Sequence, residues 1–140
     1  MKLNSNHTLY KQADVSCSKP QLVLMLLDGA IRFTREAAVH LRAGRWAEKG
    51  VAVDSAYECL TELRHSLDRD QGGDAAQALD RMYDFLCTKL TVGNAARDAD
   101  QFDQIAQALR VLRDGWAELF ERLQSEGKLR EDTAPAAAAL

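Results

Sequence analysis

Histidines and acidic residues are the first candidates for chemistry in this sequence. Glu62 and His65 have the Glu-x-x-His spacing that places both side chains on one face of a helix. A di-iron site in a helical bundle needs two such motifs and two further glutamates. The other interior histidine is His40, and Glu36 precedes it by four residues instead of three. The sequence therefore predicts no metal site, and structural or surface roles for Glu62 and His65.

Phosphotransfer is the second chemistry that a helical histidine could support. His40 is followed by a basic residue and by Gly44, which loosely matches the surroundings of a phosphorylatable histidine. In that class the glycine lies inside a helix, whereas Gly44 stands where a helix should end. The alternative role is a favourable interaction of His40 with a helix C-terminus. No CxxCH motif, Gly-rich phosphate loop or nucleophile motif occurs, so neither catalysis nor a cofactor is expected.

Composition and charge narrow the classes of function. The chain has 140 residues, enough for one domain, and its net charge of −3 argues against nucleic-acid binding. The N-terminal residues MKLNSNHTLY contain no apolar segment of a secretory signal. The apolar run from Leu22 to Leu27 is shorter than the roughly 20 residues needed to span a bilayer. Cys17, Cys59 and Cys87 are widely spaced, which fits reduced thiols in a cytoplasmic protein.

Turn and capping signals divide the chain into helices. No proline occurs between Pro20 and Pro135, and strong helix formers dominate that interval. The signals place the first helix from residue 19 to Gly44, the second from about Trp46 to Asp68, the third from an Asp74–Gln77 cap after Gly72-Gly73 to about Arg97, and the fourth from an Asp98–Gln101 cap to Gly127. Short connections favour antiparallel neighbours. The predicted fold is therefore all-α, an antiparallel up-down four-helix bundle over residues 19–127, between a loose N-terminal arm (1–18) and a disordered Ala-rich tail (128–140).

Apolar residues in steps of three and four predict the buried seams of the helices. They are Val53, Ala56, Leu60, Leu63 and Leu67 in the second helix, Leu79, Met82, Leu86 and Leu90 in the third, and Phe102, Ile105, Leu109, Leu112, Trp116, Leu119 and Leu123 in the fourth. The first helix differs, because residues 22–27 are apolar on every side, whereas one core needs only a stripe. This helix is either central in the bundle, or it presents a second stripe of Leu24, Leu27 and Ile31 to a partner.

The order of motifs resembles the flagellar secretion chaperone family FliS over about residues 10–120. The residues that carry the resemblance are Tyr10, LVLMLLDGAIRF from Leu22 to Phe33, RWAEK from Arg45 to Lys49, Leu60-Thr-Glu-Leu63, Ser66-Leu-Asp68, Gly72-Gly73, Met82-Tyr-Asp-Phe85, Leu112-Arg113 and Trp116. The family usually has a tyrosine before the Asp-Gly of its first helix, where this chain has Leu27. Gly50 replaces the asparagine that is usual at the start of the second helix.

The resemblance implies a non-enzymatic cytoplasmic chaperone without a cofactor. Such proteins bind the disordered C-terminal segment of flagellin, which becomes helical in the filament, and prevent premature polymerisation before delivery to the export apparatus. The export gate and a flagellin-level regulator are further candidate partners. No membrane insertion is expected, and the oligomeric state is left open between monomer and weak homodimer. Two rival hypotheses are phosphotransfer through His40 and a bundle that self-associates through its first helix.

The candidate partner-binding residues share an apolar, aromatic or amide side chain beside the predicted core. They are Tyr10, Leu24, Leu27, Ile31, Tyr57, Tyr83 and Asn94. By resemblance, the arm with Tyr10 covers the client groove in the free protein; the alternative is a contact that fixes the arm to the end of the bundle. The two later tyrosines either line a groove with a solvated hydroxyl or pack at the edge of the core. Asn94 either caps the third helix or contacts the client backbone.

Glycines inside the predicted helices indicate positions of close approach. Gly29, Gly93 and Gly115 each cost about 0.5–1 kcal/mol relative to alanine. We expect them where a neighbouring helix, or the client, comes near the backbone.

Overall fold

A computed structural model of the chain describes residues 19–128, which form four α-helices joined by short connections. The helices are α1 (Lys19–Arg42), α2 (Trp46–His65), α3 (Arg69–Ala96) and α4 (Ala99–Ser125). The predicted all-α fold is confirmed. The arm (1–18) and all but the first residue of the tail (128–140) lie outside the described residues, so their predicted states stay predictions, as does the division of the chain into three parts.

The helices are arranged in a ring in which neighbours run antiparallel. Each helix packs against the next, and α4 closes the ring on α1. The register of α1 on α4 is visible in two sets of surface ion pairs. Arg42, at the end of α1, lies 2.8 Å from Asp100 and 2.6 Å from Asp103 at the start of α4. Asp28, early in α1, lies 2.8 Å from Arg113, late in α4. The predicted antiparallel bundle is therefore confirmed.

Helix α1 organises the core. Its packing against α2 and α4 is the most extensive in the bundle. Leu26 and Leu27 are 1% and 0% exposed although they point to different sides of the helix. A central helix with neighbours on two sides needs more than a stripe of apolar residues. Most of the apolar side chains of residues 22–27 are thus buried or partly buried inside the bundle.

Three of the predicted helix boundaries carry the expected caps, at Gly44, Asp98 and Gly127, where Gly127 has a φ of 70° and its N–H donates to the carbonyl of Gln124. Gly44 has a φ of 73°, its N–H donates to the carbonyl of Leu41, and the N–H of Arg45 donates to the carbonyl of His40 at 2.9 Å. This pair of bonds is a Schellman motif, which needs a left-handed residue and so favours glycine. At the start of α4, the carboxylate of Asp98 accepts a hydrogen bond from the backbone N–H of Gln101 at 3.2 Å, as the sequence predicts.

The boundary between α2 and α3 differs from the prediction. α2 ends at His65, and Asp68, instead of Asp74, caps α3 by accepting a hydrogen bond from the N–H of Gln71 at 3.0 Å. Gly73 interrupts α3 with a φ of 55° and a ψ of −133°. The physical reason is that Asp68–Gln71 has the same capping spacing as Asp74–Gln77, and the earlier cap forms. The glycine pair therefore makes a kink inside α3.

The buried seam of α3 is also shifted from the prediction. Leu86 and Leu90 are buried as expected, but Met82 is 37% exposed and Tyr83 takes its place in the core at 1% exposure. Leu79, Tyr83, Leu86 and Leu90 follow steps of four, three and four, which keep one helix face toward the core.

The seams of α2 and α4 are confirmed. All five residues predicted for the second helix are buried, although Leu67 lies beyond the end of α2, and those of α4 are buried or packed against the core. Trp116 is 7% exposed and stacks on Phe120 with ring centroids 5.3 Å apart.

The glycines differ in what surrounds them. Gly29 is buried in α1. A Cβ added to Gly93 would lie 3.1 Å from the side chain of Gln101 on α4, so a neighbouring helix occupies the space, as predicted. The position of Gly115 opens to free space instead.

Two of the predicted thiols lie in the core. Cys59 and Cys87 are buried and form no disulfide, and burial raises the pKa of the Cys87 thiol to about 11. Cys17 lies outside the described residues. Between residues 19 and 128, no helix combines the length and apolarity needed to cross a membrane.

Candidate partner-binding surface

The outer face of α1 lies between two grooves. One groove, of about 450 Å³, separates α1 from α4 and is lined by Asp28, Ile31, Arg32, Arg35, Glu36, Val39, His40 and Arg110. The other, of about 520 Å³, separates α1 from α2 and is lined by Phe33, Glu36, His40, Ala47, Glu48, Val51, Ala52 and Ser55. Glu36 and His40 line both grooves, so the two form one continuous surface. We call it the α1 surface.

The groove between α1 and α4 combines apolar groups with cations. Ile31 is buried in its floor, and Val39 is 57% exposed at its edge. Arg32, Arg35 and Arg110 provide positive charge. Arg32 pairs with Glu36 at 4.0 Å and Arg110 with Asp114 at 3.7 Å. Such exposed ion pairs are worth at most about 1 kcal/mol, so these guanidinium groups can be redirected to a partner.

The groove between α1 and α2 has the opposite charge at its edge. Glu36 and Glu48 are exposed there, beside Val51, which is 37% exposed. Phe33 is buried below, and the guanidinium of Arg32 lies 4.7 Å from its ring centroid. The α1 surface therefore offers a partner two apolar floors. Cations outnumber carboxylates around the first, and Glu36 and Glu48 lie at the edge of the second.

A buried hydroxyl faces this second groove. Ser55 is 2% exposed, and its Oγ has no hydrogen-bond partner within residues 19–128. The hydroxyl of Thr34, on the adjoining helix α1, is also buried and has no hydrogen-bond partner among the described residues. A buried hydroxyl without a partner is unfavourable, typically by about 1–3 kcal/mol. Ser55 thus places an unpaired but fully buried polar group beneath the groove.

His40 connects the two grooves structurally. It lies in the last turn of α1, half-buried, and its Nδ1 accepts a hydrogen bond from Nε of Arg45 at 3.0 Å. Arg45 is also 4.0 Å from Glu48. Gly44 lies beyond the helix end instead of inside a helix. The geometry of His40 is therefore that of a helix-end residue and does not support phosphotransfer.

The sequence of the chain also matches a known protein family. The family model described as "Flagellar protein FliS" matches residues 2–123.

The chain belongs to the FliS family.

Named relatives span most of the chain. A flagellar secretion chaperone FliSB of Pseudomonas aeruginosa is 28% identical over 106 residues, covering 75% of this chain and 84% of the relative. A flagellar secretion chaperone FliS of Vibrio cholerae is 28% identical over 115 residues, covering 79% and 85% of the two chains. The FliS of Bacillus subtilis is 27% identical over 131 residues, covering 93% and 95%. The hypothesis of histidine phosphotransfer through His40 finds no support in these similarities.

The candidate residues predicted from the sequence do not converge on one site in this FliS protein. Tyr10 lies outside the described residues. Among the candidates within residues 19–128, Ile31 alone lines the α1 surface, and it is 5% exposed. Leu27 is fully buried and Leu24 is partly buried against the core. The second stripe of α1 is thus mostly core in this structure, and a role in partner binding stays a prediction for its members.

The remaining predicted residues lie on α2 and α3. Tyr57 is 44% exposed on α2 and lines neither groove of the α1 surface, so its role in partner binding stays a prediction. Asn94 is half-buried and accepts a hydrogen bond from Nζ of Lys49, so its side chain links α3 to α2 and does not cap the helix. The C-cap of α3 is Arg97, in a left-handed conformation, with its guanidinium 4.7 Å from the ring centroid of Trp46.

Of the two alternatives predicted for Tyr83, a groove with a solvated hydroxyl or packing at the edge of the core, its burial contradicts the first. Burial raises its pKa to about 12, and the nearby indole of Trp116 lowers the pKa only in part. The two groups do not reach hydrogen-bond geometry, because both polar atoms lack a partner among the described residues. Tyr83 is therefore a core residue, and its neighbour Met82 takes the exposed position.

The buried phenol of Tyr83 predicts a loss of stability at alkaline pH. An unfolded tyrosine ionises near pH 10, so between that pH and about 12 the folded state holds a proton that the unfolded chain has lost. Stability should fall over this range by about 2–3 kcal/mol from this group. Urea unfolding at stepped pH should show this contribution in the unmodified protein and not in Tyr83→Phe. Tyr57→Phe is the control for removing an exposed phenol, and parallel pH profiles of Tyr83→Phe and the unmodified protein would contradict the assignment.

Several exposed apolar residues were not predicted from the sequence. They are Val39, Val51, Phe85, Val92 and Val111. Each lies off the main apolar seam of its helix, and valine on an exposed helix face has no distinctive spacing of its own. Phe85 and Val92 do have a regular spacing. Together with Met82 they lie on one face of α3, in steps of three and seven residues.

Proposed function

We propose that this FliS protein is a cytoplasmic, non-enzymatic export chaperone that binds the disordered C-terminal segment of flagellin on the α1 surface. Binding would prevent premature polymerisation and support delivery to the export apparatus. Membership of the FliS family supports the chaperone role, and the relatives carry the name flagellar secretion chaperone. The observation that carries the site is the continuity of the two grooves across Glu36 and His40.

The physical properties of the α1 surface fit a segment that folds as it binds. Amphipathic segments dock into grooves between helices through apolar anchors one turn apart. Val39 and Val51 provide exposed apolar area on opposite sides of α1, and Ile31 and Phe33 lie in the floors below. Ordering a disordered segment costs about 2–5 kcal/mol, which the burial of such apolar area can offset.

Other contacts of the client follow from the sequence predictions. Tyr10, in the arm, is proposed to cover the client groove in the free protein. Tyr57 has enough exposure on α2 to extend the contact around the bundle. The export gate and a flagellin-level regulator are proposed as further partners, and no cofactor takes part.

The test is isothermal titration of the full-length protein with the C-terminal segment of flagellin from the same organism. Saturable one-to-one binding, a negative heat-capacity change and a gain of helical circular dichroism in the peptide are expected. A peptide of the same composition in scrambled order is the control. Absence of heat at several temperatures, together with unchanged helicity, would refute binding of this client. Sedimentation of the free protein over a range of concentrations separates monomer from weak homodimer.

A further inference from the structure

An apolar stripe on α3 lies apart from the α1 surface. Met82, Phe85 and Val92 are 37%, 57% and 58% exposed, and their spacing places them on one side of the helix. Asp80 and Asp84 point to another side, where both accept hydrogen bonds from Arg64 of α2. The stripe therefore lies on the flank of α3 that faces away from α2 and toward α4.

Helix α4 continues this apolar face. Gly93 of α3 packs on Gln101 of α4, and the antiparallel course of the two helices then brings the middle of α4 beside the stripe. On that flank of α4 lie Ala108, Val111 and Gly115, whose steps of three and four share one face. Val111 is 65% exposed, the highest value among the large apolar side chains of residues 19–128. We call Met82, Phe85, Val92, Ala108, Val111 and Gly115 the α3–α4 face.

Gly115 is an independent sign of a partner at this face. It lies in the interior of α4, where glycine destabilises a helix relative to alanine. A Cβ added there would meet no atom within 4 Å, so packing within residues 19–128 does not require a glycine. Gly93 shows the contrast, because Gln101 and Phe102 fill the space beside it. An open glycine on an exposed apolar face allows a second backbone to approach closely.

The charge around the α3–α4 face selects the chemistry of its partner. Arg81 and Lys89 flank the stripe on α3. On the same side of α4, the charges of Glu118 and Arg122 offset each other. The Nζ of Lys89 lies 5.5 Å from the ring centroid of Phe85. The net positive charge beside the stripe therefore comes from the two cations of α3, in a chain with a net charge of −3. An amphipathic helix with acidic residues beside its apolar anchors complements such a face.

We propose that the α3–α4 face binds one acidic amphipathic helix of a second protein while the client occupies the α1 surface. The exposed stripe from Met82 to Val92 covers about 15 Å of helix, which matches a single docked helix. A second copy of this chain fits less well, because pairing two such faces symmetrically would bring their cations, Arg81 and Lys89, together. The simultaneous occupancy rests on the proposed function, whereas binding of the acidic helix concerns a separate site and is tested without the client.

The test uses the full-length protein and two labelled synthetic peptides in fluorescence anisotropy. Both peptides carry the same apolar residues at helical spacing, flanked by glutamate in one and by lysine in the other. The glutamate peptide should bind, and the lysine peptide should bind about tenfold more weakly because like charges meet. A saturating amount of the flagellin segment should not displace the glutamate peptide. Failure of both peptides to bind, equal binding of the two, or displacement by flagellin would overturn the proposal.

Two matched glycine variants separate partner binding from folding. Gly115→Ala should raise the unfolding temperature and weaken the glutamate peptide about tenfold, because the added methyl group blocks close approach. Gly50→Ala on α2, where a Cβ also meets open space, should raise the unfolding temperature and leave the peptide affinity unchanged. Unchanged affinity of Gly115→Ala, or an equal loss in both variants, would also overturn the proposal.

Discussion

Replacing Val39 and Val51 together by aspartate is expected to weaken binding of the flagellin segment about 100- to 1,000-fold. Burial of a valine side chain contributes about 1.5 kcal/mol, and each 1.4 kcal/mol changes an equilibrium tenfold. The introduced carboxylates add a desolvation cost at each site. The two valines lie in different grooves, so each single variant should lose about tenfold and the effects should add.

Titration calorimetry at one temperature measures all of these affinities. Val111→Asp is the matched control, because this valine is 65% exposed on α4 and does not line the α1 surface. Circular dichroism and urea unfolding establish that each variant is folded. Retention of full affinity in the double variant would place the client elsewhere on the bundle. Loss of affinity in Val111→Asp alone would place it on the α3–α4 face.

Truncation of Leu27 to alanine is expected to lower the free energy of unfolding by about 2–5 kcal/mol. Leu27 is fully buried in α1, so the truncation leaves a cavity in the core. Leu24 is only partly buried against the core, and Leu24→Ala should therefore cost less, about 1 kcal/mol. Urea unfolding measures both values under identical conditions.

Two variants of Leu27 also test whether this residue takes part in partner binding. Leu27→Met keeps the side-chain volume and should cost less than about 1.5 kcal/mol, which yields a folded variant in case the alanine variant unfolds. Its affinity for the flagellin segment should equal that of the unmodified protein. A Leu27→Ala protein of unchanged stability and abolished client binding would instead support the second apolar stripe.

Local signals in the sequence were sufficient for most helix boundaries. Gly44 and Asp98 each act through backbone geometry that depends on their own residue type, so their roles could be predicted. The start of α3 could not, because Asp68 and Asp74 are each followed by a glutamine at the capping distance. Tertiary packing decides between two equal local signals, and Asp68 forms the cap.

Burial of individual side chains was less predictable than the helices themselves. Met82 and Tyr83 are adjacent and both apolar in part, and only the position of the neighbouring helices shows that Tyr83 faces the core. The apolar residues 22–27 of α1 are compatible with central burial and also with a second exposed face. The sequence contains nothing that distinguishes these two arrangements. Exposed residues such as Val39 and Val51 gave no periodic signal, because the 3.6-residue period arises from packing against the core and these side chains do not pack there.

The kink at Gly73 and the sparse packing of α3 give the bundle an uneven stability. α3 contacts α4 less than any other pair of adjacent helices in residues 19–128, and side-chain links such as Lys49 to Asn94 hold it to α2. Regions with few buried contacts open at lower free energy than the rest of a domain. Amide hydrogens of α3 should therefore exchange with solvent as one cooperative unit, ahead of those of α1. The molecule can then lose the packing of one helix while the core around α1 persists.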